Sequence, residues 1–304
     1  MTVQPIQVKK KMTTQTTKNN IEAKTASGTP AISSEIKHET TLYAEPVAHI
    51  GSFPITNALL TSFATVIIVA VIALALRLRL REVPKGLQNI FESLMEGALT
   101  LADQVTNSRE ISTKVFPLAF SVFLFILINN WLGLLPLGGF GIVETAEHGK
   151  SFIPFLRSGT ADINTTIALA VMAVVGANLF GIFSIGIWKS FNKYVNLMAL
   201  GQAVTRVRKE PITLIVTPVT FFVGLLELVG EFAKVASLSF RLFGNIFAGE
   251  VLLMAMSAIL PYVLPIPFLF LEIFVGMIQA LIFSILVLVY FTIASQDHES
   301  HEAK

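Results

Sequence analysis

From residue 54 onward, long apolar runs alternate with short polar stretches along the chain. Runs of about 18 or more apolar residues are long enough to cross about 30 Å of hydrocarbon as helices. The first such span is predicted over Pro54–Leu76, the second over Val115–Leu137 and the third over Ile163–Ile187. The stretch GLQNIFESLMEGALTLADQV, between the first two, has a different pattern. Leu87, Ile90, Phe91, Leu94, Ala98, Leu101 and Val105 recur at helical spacing, opposite Gln88, Asn89, Glu92 and Glu96. This predicts an amphipathic surface helix. Its polar face is acidic, so attraction to anionic lipid is not what holds it in place. Docking on the protein's own helices or on a partner is expected instead.

The last two apolar segments pose a length problem. No proline falls between Pro218 and Pro261, and a continuous helix there would run ~60 Å, twice the hydrocarbon thickness. Two readings fit: a pair of short spans with a polar turn near residues 231–241, or one long, steeply tilted helix. The final segment, Ile266–Ala294, poses a milder version of the same choice.

Composition agrees with a helical membrane protein: of 304 residues, 53% are hydrophobic and only 14% charged. The absence of cysteine excludes disulfides and thiolate metal sites. Charge placement sets the orientation. Arg77, Arg79, Arg81 and Lys85 follow the first span, and Lys189, Lys193, Arg206, Arg208 and Lys209 follow the third. The segment Gly138–Thr160 holds only Lys150 and Arg157. By the positive-inside rule the two richer segments are cytoplasmic, which puts the N-terminus outside and the C-terminus in the cytoplasm. Residues 1–41 are rich in Thr, Lys, Ser and Gln and lack the apolar core of a secretory signal. They read as a disordered polar tail.

Arg241 is the most informative residue, because it lies deep in the apolar stretch of residues 225–256. A lone arginine at the centre of a membrane helix costs about 2.5–3.5 kcal/mol on insertion scales, so its presence points to function. If the segment is one helix, Glu231, Lys234, Arg241 and Asn245 all fall within about 40° of Glu227, while Glu250 lies about half a turn from Arg241. Two polar faces with two tasks are implied. Glu227 and Glu231 repel at i, i+4 unless paired, protonated or hydrated, and Lys234 is placed to pair with one of them. No carboxylate stands at i±3 or i±4 from Arg241, so its counter-charge must come from another helix or another chain. Gly230, Gly244, Ala248 and Gly249 permit close approach, either of another helix of this chain or of a partner moving past. In the last segment Glu272 and Gln279 share one face, about two turns apart. Folding back at PYVLPIP could bring Glu272 to Glu250. Two carboxyls close together in a buried place suit proton relay.

SLSFRLFGNIFAGE (237–250) resembles the signature segment of the subunit a family of F-type ATP synthases. GLQNIFESLMEG, NNWLGLLPL, TADINTTIALA and QALIFSILVLVYFTIA resemble the same family in the same order. The resemblance covers about residues 44–297. It implies an all-α membrane fold with five membrane helices and one amphipathic surface helix, the last two membrane helices long and strongly tilted. It also implies a division into an N-terminal tail (1–41), a membrane channel domain (42–297) and a cytoplasmic C-terminal tail (298–304).

By the same resemblance, Arg241 takes the place of the family's essential arginine, with Asn245 beside it. Glu250, Glu272 and Gln279 would line the outer half-channel, and Glu227, Lys234 and Ser237 would border the inner one. Asp162 and Asn164 match polar residues at the outer end of the third span, and Glu231 departs from the family's pattern. The implied activity is proton translocation by a stator subunit that is not catalytic by itself. It would load and unload the carboxylates of a rotating ring of c subunits within the whole ATP synthase complex, and so couple proton flow to ATP synthesis. The implied partners are that c-ring, the peripheral stalk subunit b and the lipid bilayer of a bacterial inner membrane. No cofactor, metal or nucleic acid is expected, and there is no GxxxxGK[ST] phosphate loop. A self-contained secondary antiporter is the alternative, though such proteins usually show internal repeats and paired interrupted helices. A purely structural anchor would not justify six ionisable groups in apolar segments.

Overall fold

The structure, a computed structural model, describes residues 43–79, 86–135, 141–146, 149–187 and 213–295. The expected tails at 1–41 and 298–304 lie outside the described residues. So do Arg81, Lys85 and the basic cluster Lys189, Lys193, Arg206, Arg208 and Lys209; Arg79 and Leu87 are described only in their backbone. The chain divides into two compact units. Of the smaller, the described residues are 143–146 and 149–152, within strands β3 (Gly141–Ala146) and β4 (Gly149–Pro154), which pair as a two-stranded sheet.

The larger unit holds all six helices of the described residues: α1 (Asn57–Arg79), α2 (Leu87–Thr106), α3 (Arg109–Leu134), α4 (Ile163–Ile185), α5 (Thr213–Ile259) and α6 (Pro265–Ser295). Five of them, all but α2, are long and apolar enough to cross a membrane. The first span begins later than its apolar pattern suggested. Residues 53–56 form β2, which pairs antiparallel with β1 (Pro46–Ile50). Helix α3 begins earlier than expected, because Ser108 caps it: its hydroxyl accepts the Ile111 N–H, and Thr106 and Ser112 share a hydrogen bond of 2.6 Å. Asn107, at the end of α2, adopts the left-handed φ of 53° that lets a helix stop and the chain turn.

The long segment is one helix. α5 has 47 residues, roughly 70 Å at 1.5 Å per residue. A helix of that length stays within about 30 Å of hydrocarbon only by lying steeply. Packing between the spans relies on small residues, as expected where lipid offers no hydrophobic drive. On α4 the buried positions Thr166, Ala170, Ala173, Ala177 and Gly181 form one stripe. A side-chain carbon at Gly181 would lie 2.6 Å from the Ala294 carbonyl of α6. Larger side chains of α3 and α6, such as Ile126, Phe283 and Val287, fill the remaining core.

The surface helix is only partly covered by the chain. Phe91 meets Phe120 edge-on at 6.1 Å, and Ala102 is buried. Ile90, Leu94 and Leu101 stay exposed. Of the residues expected to dock α2, Ile90 is mostly exposed and Leu94 only half-covered, bordering a cavity with Ala119 and Phe120 of α3.

Candidate functional site

The polar residues of α5 and α6 separate into three groups. Arg241 stands on the exposed side of α5 with Ser237 and Asn245. No hydrogen bond or ion pair joins its guanidinium to another described residue. The surface around it is low: a side-chain carbon at Gly244 or Gly230 would meet nothing within 4 Å, and Ala248 is exposed. Gly249 behaves differently. Any side chain there would overlap the carboxyl of Glu272. Of the small residues of α5, Gly249 is thus used inside the chain, while Gly230 and Gly244 face open space among the described residues.

The second group lies on the α6 side. Asn245 donates from Nδ2 to Gln279 Oε1 at 2.7 Å, which ties the Arg241 face to α6. Gln279 and Glu272 are both buried, and Gln279 Nε2 and Glu272 Oε1 have no hydrogen-bond partner. Orphaned buried polar atoms of this kind are places for ordered water. Glu272 lies against Gly249, and Glu250 is the next residue along α5. The fold-back over residues 260–264 thus places Glu272 against the residue that precedes Glu250.

Glu250 has a partner the sequence reading did not foresee. Arg157, with a side chain only 4% exposed, places Nε 2.9 Å from Glu250 Oε1. Its Nε and Nη2 donate to Oε2 at 3.1 and 2.9 Å. A buried polar layer surrounds this pair. Asn57 and Thr61 of α1 and Asn129 and Asn130 of α3 are all buried. Asn129 Oδ1 accepts the Gly159 N–H at 2.6 Å, and Asn130 Nδ2 donates to the Gly276 carbonyl of α6 at 3.2 Å. The pair Asn129–Asn130, polar inside an apolar helix, was a readable signal of such a layer. Asp162 caps α4: its carboxylate accepts the Asn164 N–H at 3.2 Å and the Asn164 side chain at 3.3 Å. Both expected polar residues at that end are thus occupied with capping.

The third group is toward the start of α5. Lys234 Nζ lies 2.7 Å from Glu231 Oε1 and 5.4 Å from the Tyr290 ring centroid. Asn178 of α4 donates to Glu231 Oε2 at 3.1 Å. The i, i+3 spacing anticipated the ion pair, and the contact with α4 gives Glu231 a bracing task between two helices. Glu227, one turn earlier, is half-buried. Glu227, Glu231, Lys234, Arg241 and Glu250 thus follow one another along α5, with the exposed Arg241 between the Glu231–Lys234 pair and the Glu250–Arg157 pair. The described residues hold no cluster of three or more His, Cys, Asp or Glu able to bind a metal.

Comparison with known proteins fits this arrangement. The family described as ATP synthase A chain matches residues 58–292. The chain is 37% identical over 240 residues to ATP synthase subunit a of Mycobacterium bovis, covering 76% of this chain and 84% of that protein. It is 34% identical over 253 residues to ATP synthase subunit a of Mycobacterium ulcerans, covering 81% and 89% respectively. A similar protein from Gloeobacter violaceus, also ATP synthase subunit a, is 34% identical over 223 residues, covering 73% and 77%. A multi-pass membrane protein with this helix order and this extent of match belongs to the ATP synthase A chain family.

Proposed function

We propose that this chain is the proton-translocating stator subunit of an F-type ATP synthase membrane sector, with residues 42–297 as its channel domain. The observation that carries the reading is Arg241: a permanently charged side chain on the exposed, small-residue side of a membrane helix, unpaired among the described residues. Such a charge needs a partner supplied from outside the chain. A ring of c subunits, each with a carboxyl passing that face, supplies one. Protons enter from outside by way of Glu250, Glu272 and Gln279 and neutralise a ring carboxyl, which then travels through lipid uncharged. After nearly a full turn the proton leaves toward Glu227 and Lys234, past Ser237. Asn245 bridges the arginine face to Gln279, and Arg241 keeps the two half-channels apart.

The second reading, a self-contained antiporter, draws no support from the family match. Subunit b of the peripheral stalk is the partner proposed for the exposed part of α2. The orientation proposed is N-terminus outside and C-terminus in the cytoplasm of a bacterial inner membrane.

The test is ATP-driven acidification of inverted vesicles containing the assembled complex. Glu250→Gln with Glu272→Gln keeps shape and hydrogen bonding but cannot titrate, so pumping should fall while assembly persists. Unchanged pumping in the double variant removes both residues from the path.

A further inference from the structure

The segment between β4 and α4 carries a buried arginine that neither the family signature nor the half-channel reading uses. A guanidinium remains charged in proteins, and placing it away from water costs several kcal/mol unless partners surround it. Arg157 has partners on both sides. Its backbone N–H donates to the Thr61 hydroxyl at 3.3 Å, and Nη1 donates to the Tyr43 carbonyl at 3.1 Å. Thr61 is fully buried, and its own hydroxyl donates to the Asn57 carbonyl at 3.1 Å. The arginine is thus anchored at its stem and at one nitrogen by α1 and the segment before it. Its other two nitrogens grip Glu250. Glu250 is the looser member of the pair, its side chain 27% exposed against 4% for Arg157.

We propose that Arg157 is a positioning residue for proton transfer: its anchored guanidinium holds the Glu250 carboxylate in one orientation, one residue along α5 from the Gly249 position against which the Glu272 carboxyl lies. This rests on the reading of Glu250 as a group of the outer half-channel. A proton passes between carboxyls only when their oxygens are within hydrogen-bond reach of each other or of one shared water. A glutamate side chain left free to rotate visits that arrangement part of the time, whereas one held by two parallel N–H donors keeps it. The planar fork is what does this, since an ammonium acts as a point charge without fixed direction.

The experiment measures ATP-driven proton pumping and assembly of the complex in inverted vesicles for Arg157→Gln, Arg157→Lys, Glu250→Gln and Arg157→Gln/Glu250→Gln. Misplacing a reacting group by about 1 Å can slow a step by up to about a hundredfold. Arg157→Gln should therefore lower pumping by about tenfold or more. Arg157→Lys, which keeps the charge and loses the fork, should assemble and pump at a level between the Gln variant and the unaltered chain. In the Glu250→Gln background, Arg157→Gln should cause no further loss, because it acts through Glu250. The same fractional loss in both backgrounds, or full pumping by Arg157→Lys, overturns the proposal. If Arg157→Gln fails to assemble, Arg157→Lys alone decides. Full pumping by Glu250→Gln itself would instead overturn the half-channel reading on which the proposal rests.

Discussion

Replacing the hydrogen of Gly249 by any side chain puts atoms where the Glu272 carboxyl lies. Glycine is used here for room, within an ordinary stretch of helix, and the room belongs to a titratable group on the neighbouring helix. Gly249→Ala should therefore displace Glu272 and slow proton delivery by about tenfold or more, by the same sensitivity to misplacement, while the complex still assembles. Acidification of inverted vesicles checks this, with assembly measured on the same membranes. Pumping at the unaltered level in an assembled Gly249→Ala complex would show that the carboxyl's seat on Gly249 has no part in transport. Such contacts are the part of the site that sequence could not reveal. Arg157 and Glu250 are 93 residues apart, and nothing in local spacing links a loop arginine to a particular glutamate. By contrast, Lys234 and Glu231 were legible as a pair because three residues of helix fix their separation.

At the level of elements, hydropathy alone marked three spans and two longer apolar segments, since each run exceeds the length a bilayer needs. Periodicity left open whether the segment between Pro218 and Pro261 formed one helix or two. The family resemblance implied one long helix and the structure shows one, with Asn178 meeting Glu231 in its first half and Asn245 meeting Gln279 further on. Helix boundaries shifted where polar groups decided them, at the Ser108 cap and at the β1–β2 pair. The surface helix α2 divides its apolar residues between this chain and its surroundings. Ile90 is 66% exposed and Leu94 49% exposed, so neither is needed to hold the helix on α3, where Phe91 packs. Ile90→Asp with Leu94→Asp should then leave this chain folded and loosen the peripheral stalk. Co-purification of stalk subunits with the variant chain is the measurement, and full retention of the stalk would refute a docking role for this face.

For the whole molecule, an arrangement of polar groups in two sets is joined by one exposed arginine. Six ionisable groups in apolar segments are expensive, and three of them have ion-pair partners within the chain: Glu231 with Lys234, and Glu250 with Arg157. Arg241 has no such partner among the described residues and is exposed, and the proposed function gives it the task of keeping two proton paths apart. On the proposed function, attraction between Arg241 and an arriving carboxylate in a poorly solvated setting is strong and favours release of the carboxyl's proton. The decisive measurement is passive proton flow and ATP synthesis in reconstituted vesicles carrying Arg241→Ala. Assembly should persist, coupled synthesis should be abolished, and passive proton flow should rise, because no fixed charge then separates the half-channels. Substantial ATP synthesis by the assembled Arg241→Ala complex would contradict the account and return Arg241 to a structural role.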